Sequence, residues 1–190
     1  NGLIAYSASS GKRVWSMESE ERLVSGTDAR DGLVVAGSID GLVIAVDANS
    51  GQERWNSRVS SELLVAPVIA GDVIVVRSND GRVHGLSSAD GSRIWQFDRG
   101  SPLISLRGNA PPLVSGNVAY LGYDNARVVA LKVSDGTLMW EQTIARPDGR
   151  TELERMNDVD GELQLIDDAV YAVSYRGQIT ALASDSGRPL

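Results

Sequence analysis

Three features of the 190-residue sequence point to an all-β chain, a partial β-propeller of four-stranded antiparallel blades. Every tryptophan sits in one phrase, a small residue and a glycine followed four positions later by the indole: SSGKRVW, NSGQERW, ADGSRIW and SDGTLMW, ending at Trp15, Trp55, Trp95 and Trp140. The intervals of 40, 40 and 45 residues fall in the range of stacked-repeat architectures. Twenty glycines and few aromatics favour many short strands and turns over long helices.

The repeats run near 1–17, 18–57, 58–97, 98–142 and 143–190, the first and last incomplete, giving about four to five of eight blades. A closed ring of eight at this period needs roughly 320–360 residues. The first repeat offers GLIAYSASSG ahead of Trp15, and the second GLVIAVDANSG ahead of Trp55. The third reads in full as APVI (66–69), VIVV (73–76), RVHGLS (82–87) and RIWQF (93–97), separated by AGD, SNDG and SADG turns. Four short strands joined by tight turns form an antiparallel meander, and the unbroken apolar VIVV fits a strand covered on both faces. In the fourth repeat PPLVSGNVAYL aligns with APVIAGDVIVV, and ARVVALKVSDG precedes Trp140. The fifth has LQLIDDAVYAV and GQITALASDSG, ending at Leu190 where the next tryptophan falls due.

The glycines Gly11, Gly51, Gly91 and Gly136 are expected at positive φ in the turn into the outer strand, where a Cβ would clash. Four residues on, each indole can bury on the order of 150–250 Å² against the neighbouring blade. Trp15, Trp55, Trp95 and Trp140 are therefore assigned as structural repeat residues between blades. The alternative, an aromatic cage for a ligand, requires positions that successive blades hold far apart.

Composition removes several chemistries. Net charge is −7 with a pI near 4.7, and Lys and Arg are scattered, so the basic footprint of a nucleic-acid binder is missing. Without cysteine there are no disulfides, thiolate metal sites or cysteine nucleophiles. The longest apolar candidate, LLVAPVIAGDVIVV, is broken by Gly71 and Asp72 and is too short for a membrane span. The start NGLIAYS carries no basic-then-apolar leader, so an export signal or lipid anchor is expected to have been removed or never present. His84, the only histidine, occupies an ordinary strand slot in register with Ile44, Val129 and Thr180 and reads as structural. The segment MNDVDGELQLID resembles a calcium loop only in part: Met156 stands where the first carboxylate belongs and Asp167 replaces the usual glutamate. No catalytic residue, metal or cofactor is predicted.

The pattern GxxxALxxxxGxxxW, present as GLVIAVDANSGQERW and GRVHGLSSADGSRIW, resembles the repeat of pyrroloquinoline-quinone-type β-propellers, which is shared by enzymes and binding proteins. Two interruptions are more specific. SPLISLRGNAPP (101–112) and RTELERMNDVD (150–160) resemble the two inter-blade loops of the BamB family of outer-membrane-protein assembly factors. The resemblance implies a non-enzymatic scaffold of the outer-membrane β-barrel assembly machinery, on the periplasmic face of the membrane and lipid-anchored in the full-length protein. It also implies that the loops contact a periplasmic POTRA domain of BamA, a role carried onto Ile104, Leu106, Arg107, Asp158 and Asp160. Direct contact with unfolded outer-membrane proteins is a further implication.

Spacing singles out the same loops. The interval from Trp95 to Trp140 is five residues over the period, and that from Trp140 to the position after Leu190 is eleven over. Both insertions fall between one blade's outer strand and the next blade's inner strand, so they are expected side by side on one rim. An apolar pair flanked by arginine and carboxylates suits a protein-binding patch. In the alternative, Ile104 and Leu106 pack inward and Arg107 braces Asp158 or Asp160. Two rival functions remain at this point, a quinone-dependent dehydrogenase, whose usual vicinal disulfide has no cysteines here, and a generic adaptor or sensor propeller. The incomplete terminal repeats further predict that copies of the chain associate through open blade edges.

Overall fold

Alternating apolar residues broken by glycine and aspartate turns produce a chain of strands. The computed structural model describes residues 1–98, 110–123, 126–145, 159, 161–174 and 177–190, and among them are seventeen strands and no helix. They divide into two compact units, Asn1–Gln96 and Phe97–Leu190.

The first unit opens with a two-stranded sheet, β1 (Gly2–Tyr6) and β2 (Arg13–Glu18). Two four-stranded sheets follow in simple sequential order. One contains β3 (Leu23–Arg30), β4 (Leu33–Ser38), β5 (Leu42–Asp47) and β6 (Glu53–Arg58). The next contains β7 (Val68–Ala70), β8 (Val73–Arg77), β9 (Val83–Ser87) and β10 (Arg93–Phe97). In the second unit, β11 (Leu113–Ser115), β12 (Val118–Tyr123), β13 (Arg127–Lys132) and β14 (Leu138–Thr143) form a third such sheet. A three-stranded sheet of β15 (Gln164–Ile166), β16 (Ala169–Val173) and β17 (Ile179–Ala183) ends the chain. A four-stranded antiparallel meander in sequence order is the blade of a propeller.

The turn between the last two strands of each four-stranded sheet is built in one way that recurs between β1 and β2 and after β17, five times among the described residues. Gly51 N–H donates to the Asp47 carbonyl and Asp47 N–H to the Gln52 carbonyl, both at 2.8 Å, and the same pair of bonds recurs at Gly11, Gly91, Gly136 and Gly187. These glycines have φ between 65° and 72°, and the strand register shifts immediately beside the turn in three of the pairings, after Ala5, Ala45 and Ala130. This is a hairpin with a glycine bulge, which sharpens the local twist.

The two middle strands of each complete sheet are almost wholly buried because both faces are covered. In the first unit Leu33, Val35, Val43, Ala45 and Trp55 meet Ile69, Ile74, Val76 and Leu86, while Ala36, Ile44 and Val46 take Leu3, Trp15 and Met17 on the opposite face. The second unit buries Val128, Ala130 and Trp140 with Val170, Ala172 and Leu182.

The tryptophans bridge sheets by a repeated device. Trp15 Nε1 donates to the Ala48 carbonyl at 2.8 Å, and Trp55 and Trp140 do the same to Ser88 and Ser184 at 2.9 Å. Each indole lies flat on the bulge glycine of the sheet it reaches: a Cβ added to Gly51 would stand 2.5 Å from Trp15 Cε3, and one added to Gly187 would stand 2.5 Å from Trp140 Cε3. The glycine thus has two duties, a left-handed backbone and a flat seat for the preceding sheet's tryptophan. Trp95 packs on Gly85 of its own sheet.

Candidate functional site at two enlarged junctions

The connection from one sheet's outer strand to the next sheet's inner strand varies in length. It is nine residues (59–67) between β6 and β7, fifteen (98–112) between β10 and β11, and twenty (144–163) between β14 and β15. The two enlarged junctions contain the segments singled out by sequence.

The β6–β7 and β14–β15 junctions share their anchors. On leaving β6, Val59 N–H donates to the Gly41 carbonyl at 3.0 Å; on leaving β14, Ile144 N–H donates to the Ala126 carbonyl at 2.8 Å. On landing, Leu63 N–H reaches the Ser38 carbonyl at 3.0 Å and Val159 N–H the Tyr123 carbonyl at 3.3 Å. Four residues then lead into the next inner strand in each case. All eleven extra residues therefore lie between the two anchors, within 145–158.

The landing residue is a buried apolar plug. Leu63 and Val159 are 0% and 1% exposed. Each sits over a glycine one position before the acceptor carbonyl: a Cβ on Gly37 would stand 2.5 Å from Leu63 Cδ1, and one on Gly122 would stand 2.6 Å from Val159 Cγ1. Sequence reasoning missed these residues. Their signal is an apolar residue five positions before an inner strand, matched by a glycine near the end of the preceding sheet's second strand.

Both enlarged junctions touch the same end of the β11–β14 sheet. Register pairs Leu113 with Tyr120, Tyr123 with Arg127, and Arg127 with Thr143, so the start of β11 and the end of β14 share the edge that carries the β12–β13 turn. The buried Ala110 and then Pro111 and Pro112 lead into β11 beside β12, and Val159 is pinned to the last residue of β12. Neighbouring strands lie about 4.8 Å apart. Arg127, at this edge, pairs with Glu141 at 2.7 Å. The predicted contact residues Ile104, Leu106, Arg107, Asp158 and Asp160 lie outside the described residues; Val159, between the two aspartates, lies within them.

His84 is buried in a polar cluster of the first unit. Its Nε2 lies 3.3 Å from Ser78 Oγ and 3.4 Å from Ser60 Oγ. Ser78 Oγ donates to Asp80 Oδ1 at 2.5 Å, and Arg82 pairs with Asp80 at 2.6 Å. Burial pushes the Asp80 carboxyl up, but hydrogen bonds from Ser78, Ser60 and Arg82 outweigh it and leave the group below the usual carboxylate range. In a hydrolytic triad the carboxylate orients the imidazole. Here Asp80 takes a serine hydroxyl, an arrangement that closes the β8–β9 turn.

Comparison with known proteins bears on the whole chain. The profile of the family described as outer membrane protein assembly factor BamB matches residues 1–190. BamB of Xanthomonas campestris is 41% identical, over all of this chain and 49% of its own length. The crystal structure of BamB from Moraxella catarrhalis superposes with a TM-score of 0.88 at 30% identity, covering 99% of this chain and 60% of that one. A europium-containing methanol dehydrogenase superposes with a TM-score of 0.81 at 16% identity, covering 99% of this chain and 46% of that one, a likeness of fold alone. The chain spans about half the length of the curated relatives that match it throughout. Its fold is a partial β-propeller, and the chain belongs to the BamB family of outer-membrane-protein assembly factors.

Proposed function

We propose that the chain is a non-enzymatic scaffold of the outer-membrane β-barrel assembly machinery, on the periplasmic face of the membrane, and lipid-anchored in the full-length protein. Its two enlarged junctions bind a POTRA domain of BamA through Ile104, Leu106, Arg107, Asp158 and Asp160. The observation that carries this reading is the shared edge: one junction enters the β11–β14 sheet and the other leaves it at the same end, with Val159 pinned between Asp158 and Asp160.

Rigid strands at the loop bases reduce the ordering entropy lost on docking. Arg107 supplies a planar donor fork, and Ile104 and Leu106 supply apolar area that loses water in the complex. Delivery of unfolded outer-membrane proteins is then served by holding the partner in place, with no bond made or broken.

Binding of BamA's periplasmic domains to Arg107→Glu and Asp158→Lys variants, measured by calorimetry alongside thermal melts, tests the assignment. Each charge reversal is expected to weaken binding by at least about tenfold. Unchanged affinity in well-folded variants overturns it.

A further inference from the structure

One turn residue departs from the pattern of the others. The residue that closes the connection between the second and third strands of a sheet is glycine at Gly41, Gly81 and Gly177, with φ of 83°, 82° and 78°. In the β11–β14 sheet it is Ala126, with φ of 56°. A left-handed backbone is unfavourable for an L-residue with a Cβ, and such strain persists only where the surroundings hold it. Here the methyl is fully buried, in the apolar cluster that also contains Ile144, Val159 and Leu163.

Ala126 stands at the base of the twenty-residue β14–β15 connection. Its carbonyl accepts the departing Ile144 N–H at 2.8 Å, and the Tyr123 carbonyl, across the same β12–β13 connection, accepts the landing Val159 N–H at 3.3 Å. One turn therefore holds both ends of 145–158, and the Ala126 methyl lies in one cluster with both anchor side chains. In the β6–β7 connection the same two places are Ser38 and Gly41, but only residues 60–62 separate the anchors. A three-residue closure is stiff in itself, whereas fourteen residues have many more conformations to lose on docking, so the stiffness of their base matters more.

We infer that Ala126 is a positioning residue for partner binding. Being fully buried, it touches no partner and acts through Ile144 and Val159, the second of which lies between Asp158 and Asp160. Glycine at this position would keep both anchor hydrogen bonds but free the turn's backbone and empty the place of the methyl. The inference rests on the reading of this connection as a binding loop that contacts BamA through Asp158.

Calorimetry of BamA's periplasmic domains with the Ala126→Gly chain tests it. Affinity is expected to fall at least about threefold. Melting temperature is expected to stay within about 3 °C of wild type, because relief of the left-handed strain opposes the lost burial. The control is Ala130→Gly, which removes a fully buried methyl of the same cluster in mid-strand; it should melt earlier and keep wild-type affinity. Adding Ala126→Gly to Asp158→Lys should weaken binding hardly further, since both changes act through one loop. Wild-type affinity in Ala126→Gly, a melting temperature lowered as far as in Ala130→Gly, an equal affinity loss in Ala130→Gly, or additive losses in the double variant overturns the positioning role. If Asp158→Lys alone binds as wild type, the loop is not the contact and the role of Ala126 falls with it; if Asp158→Lys weakens binding and Ala126→Gly does not, the role of Ala126 alone fails.

Discussion

Gly91→Ala should destabilise the first unit far more than Gly71→Ala, although the two glycines have nearly the same backbone, φ of 72° and 66°. Both lie in turns of the β7–β10 sheet, and both force alanine into the left-handed region, which costs about 1–2 kcal/mol. At Gly71 nothing lies within 4 Å of a new Cβ, so that cost stands alone. At Gly91 the Cβ would enter the Trp55 ring, with Cδ2 and Cζ3 at 2.9 Å. The indole cannot slide freely, because its N–H is held by the Ser88 carbonyl at 2.9 Å. Overpacking of this kind adds about 1–3 kcal/mol, for a total near 2–5 kcal/mol. Urea unfolding followed by tryptophan fluorescence measures both variants. If their unfolding free energies agree within about 0.5 kcal/mol, the seat is unimportant and glycine is required for φ alone.

Gly122→Ala puts a Cβ 2.9 Å from both Cβ and the carbonyl oxygen of Val159, so it should expel the plug and weaken POTRA binding without changing any loop residue. Calorimetry showing wild-type affinity would separate the plug from the site. Acid should loosen the bulge turns. Arg54, with the backbone N–H groups of Ser50 and Asn49, holds the Asp47 carboxyl at about 2, and Thr137 with Lys132 holds Asp135 at about 2. A carboxyl depressed in the folded state stabilises above its unfolded value near 3.8 and loses that contribution as pH falls through about 2. Melting temperature should therefore decline between pH 4 and 2, and the Asp47→Asn variant should show a shallower decline; identical slopes would remove Asp47 from the account.

The sheets and their bulge turns were legible because one phrase reports two constraints at once. A glycine forced to positive φ and an indole needing a flat neighbour recur at a fixed interval, and the intervals announce the insertions. The acceptor carbonyls of Ala48, Ser88 and Ser184 were not legible, since a backbone carbonyl has no residue signature. Their separation does carry the insertion: the indole bond spans 33 residues from Trp15 and from Trp55, and 44 from Trp140, eleven more. Leu63 and Val159 escaped notice for a different reason. They lie outside the strand alternation, and their burial depends on Gly37 and Gly122, which are distant in sequence. At the candidate site, charge and apolarity could be read from the loop composition, whereas the anchors at Ala126 and Tyr123 required coordinates.

Those anchors make a final prediction about the longer junction. Three residues separate the two anchors in the β6–β7 connection, 60–62, and fourteen in the β14–β15 connection, 145–158. Lengthening a closure from three to fourteen residues costs only about 1.4 kcal/mol of chain entropy, so the fold tolerates the insertion without needing it. Replacing 145–158 by Ser-Ser-Glu, the 60–62 sequence, keeps Ile144 on Ala126 and Val159 on Tyr123. The shortened chain should be as stable as wild type or more stable by up to about that amount, with POTRA binding lost along with Asp158. Should it instead melt early or lose its near-ultraviolet spectrum, residues 145–158 support the sheets themselves, and the separation of a rigid frame from an added binding loop fails.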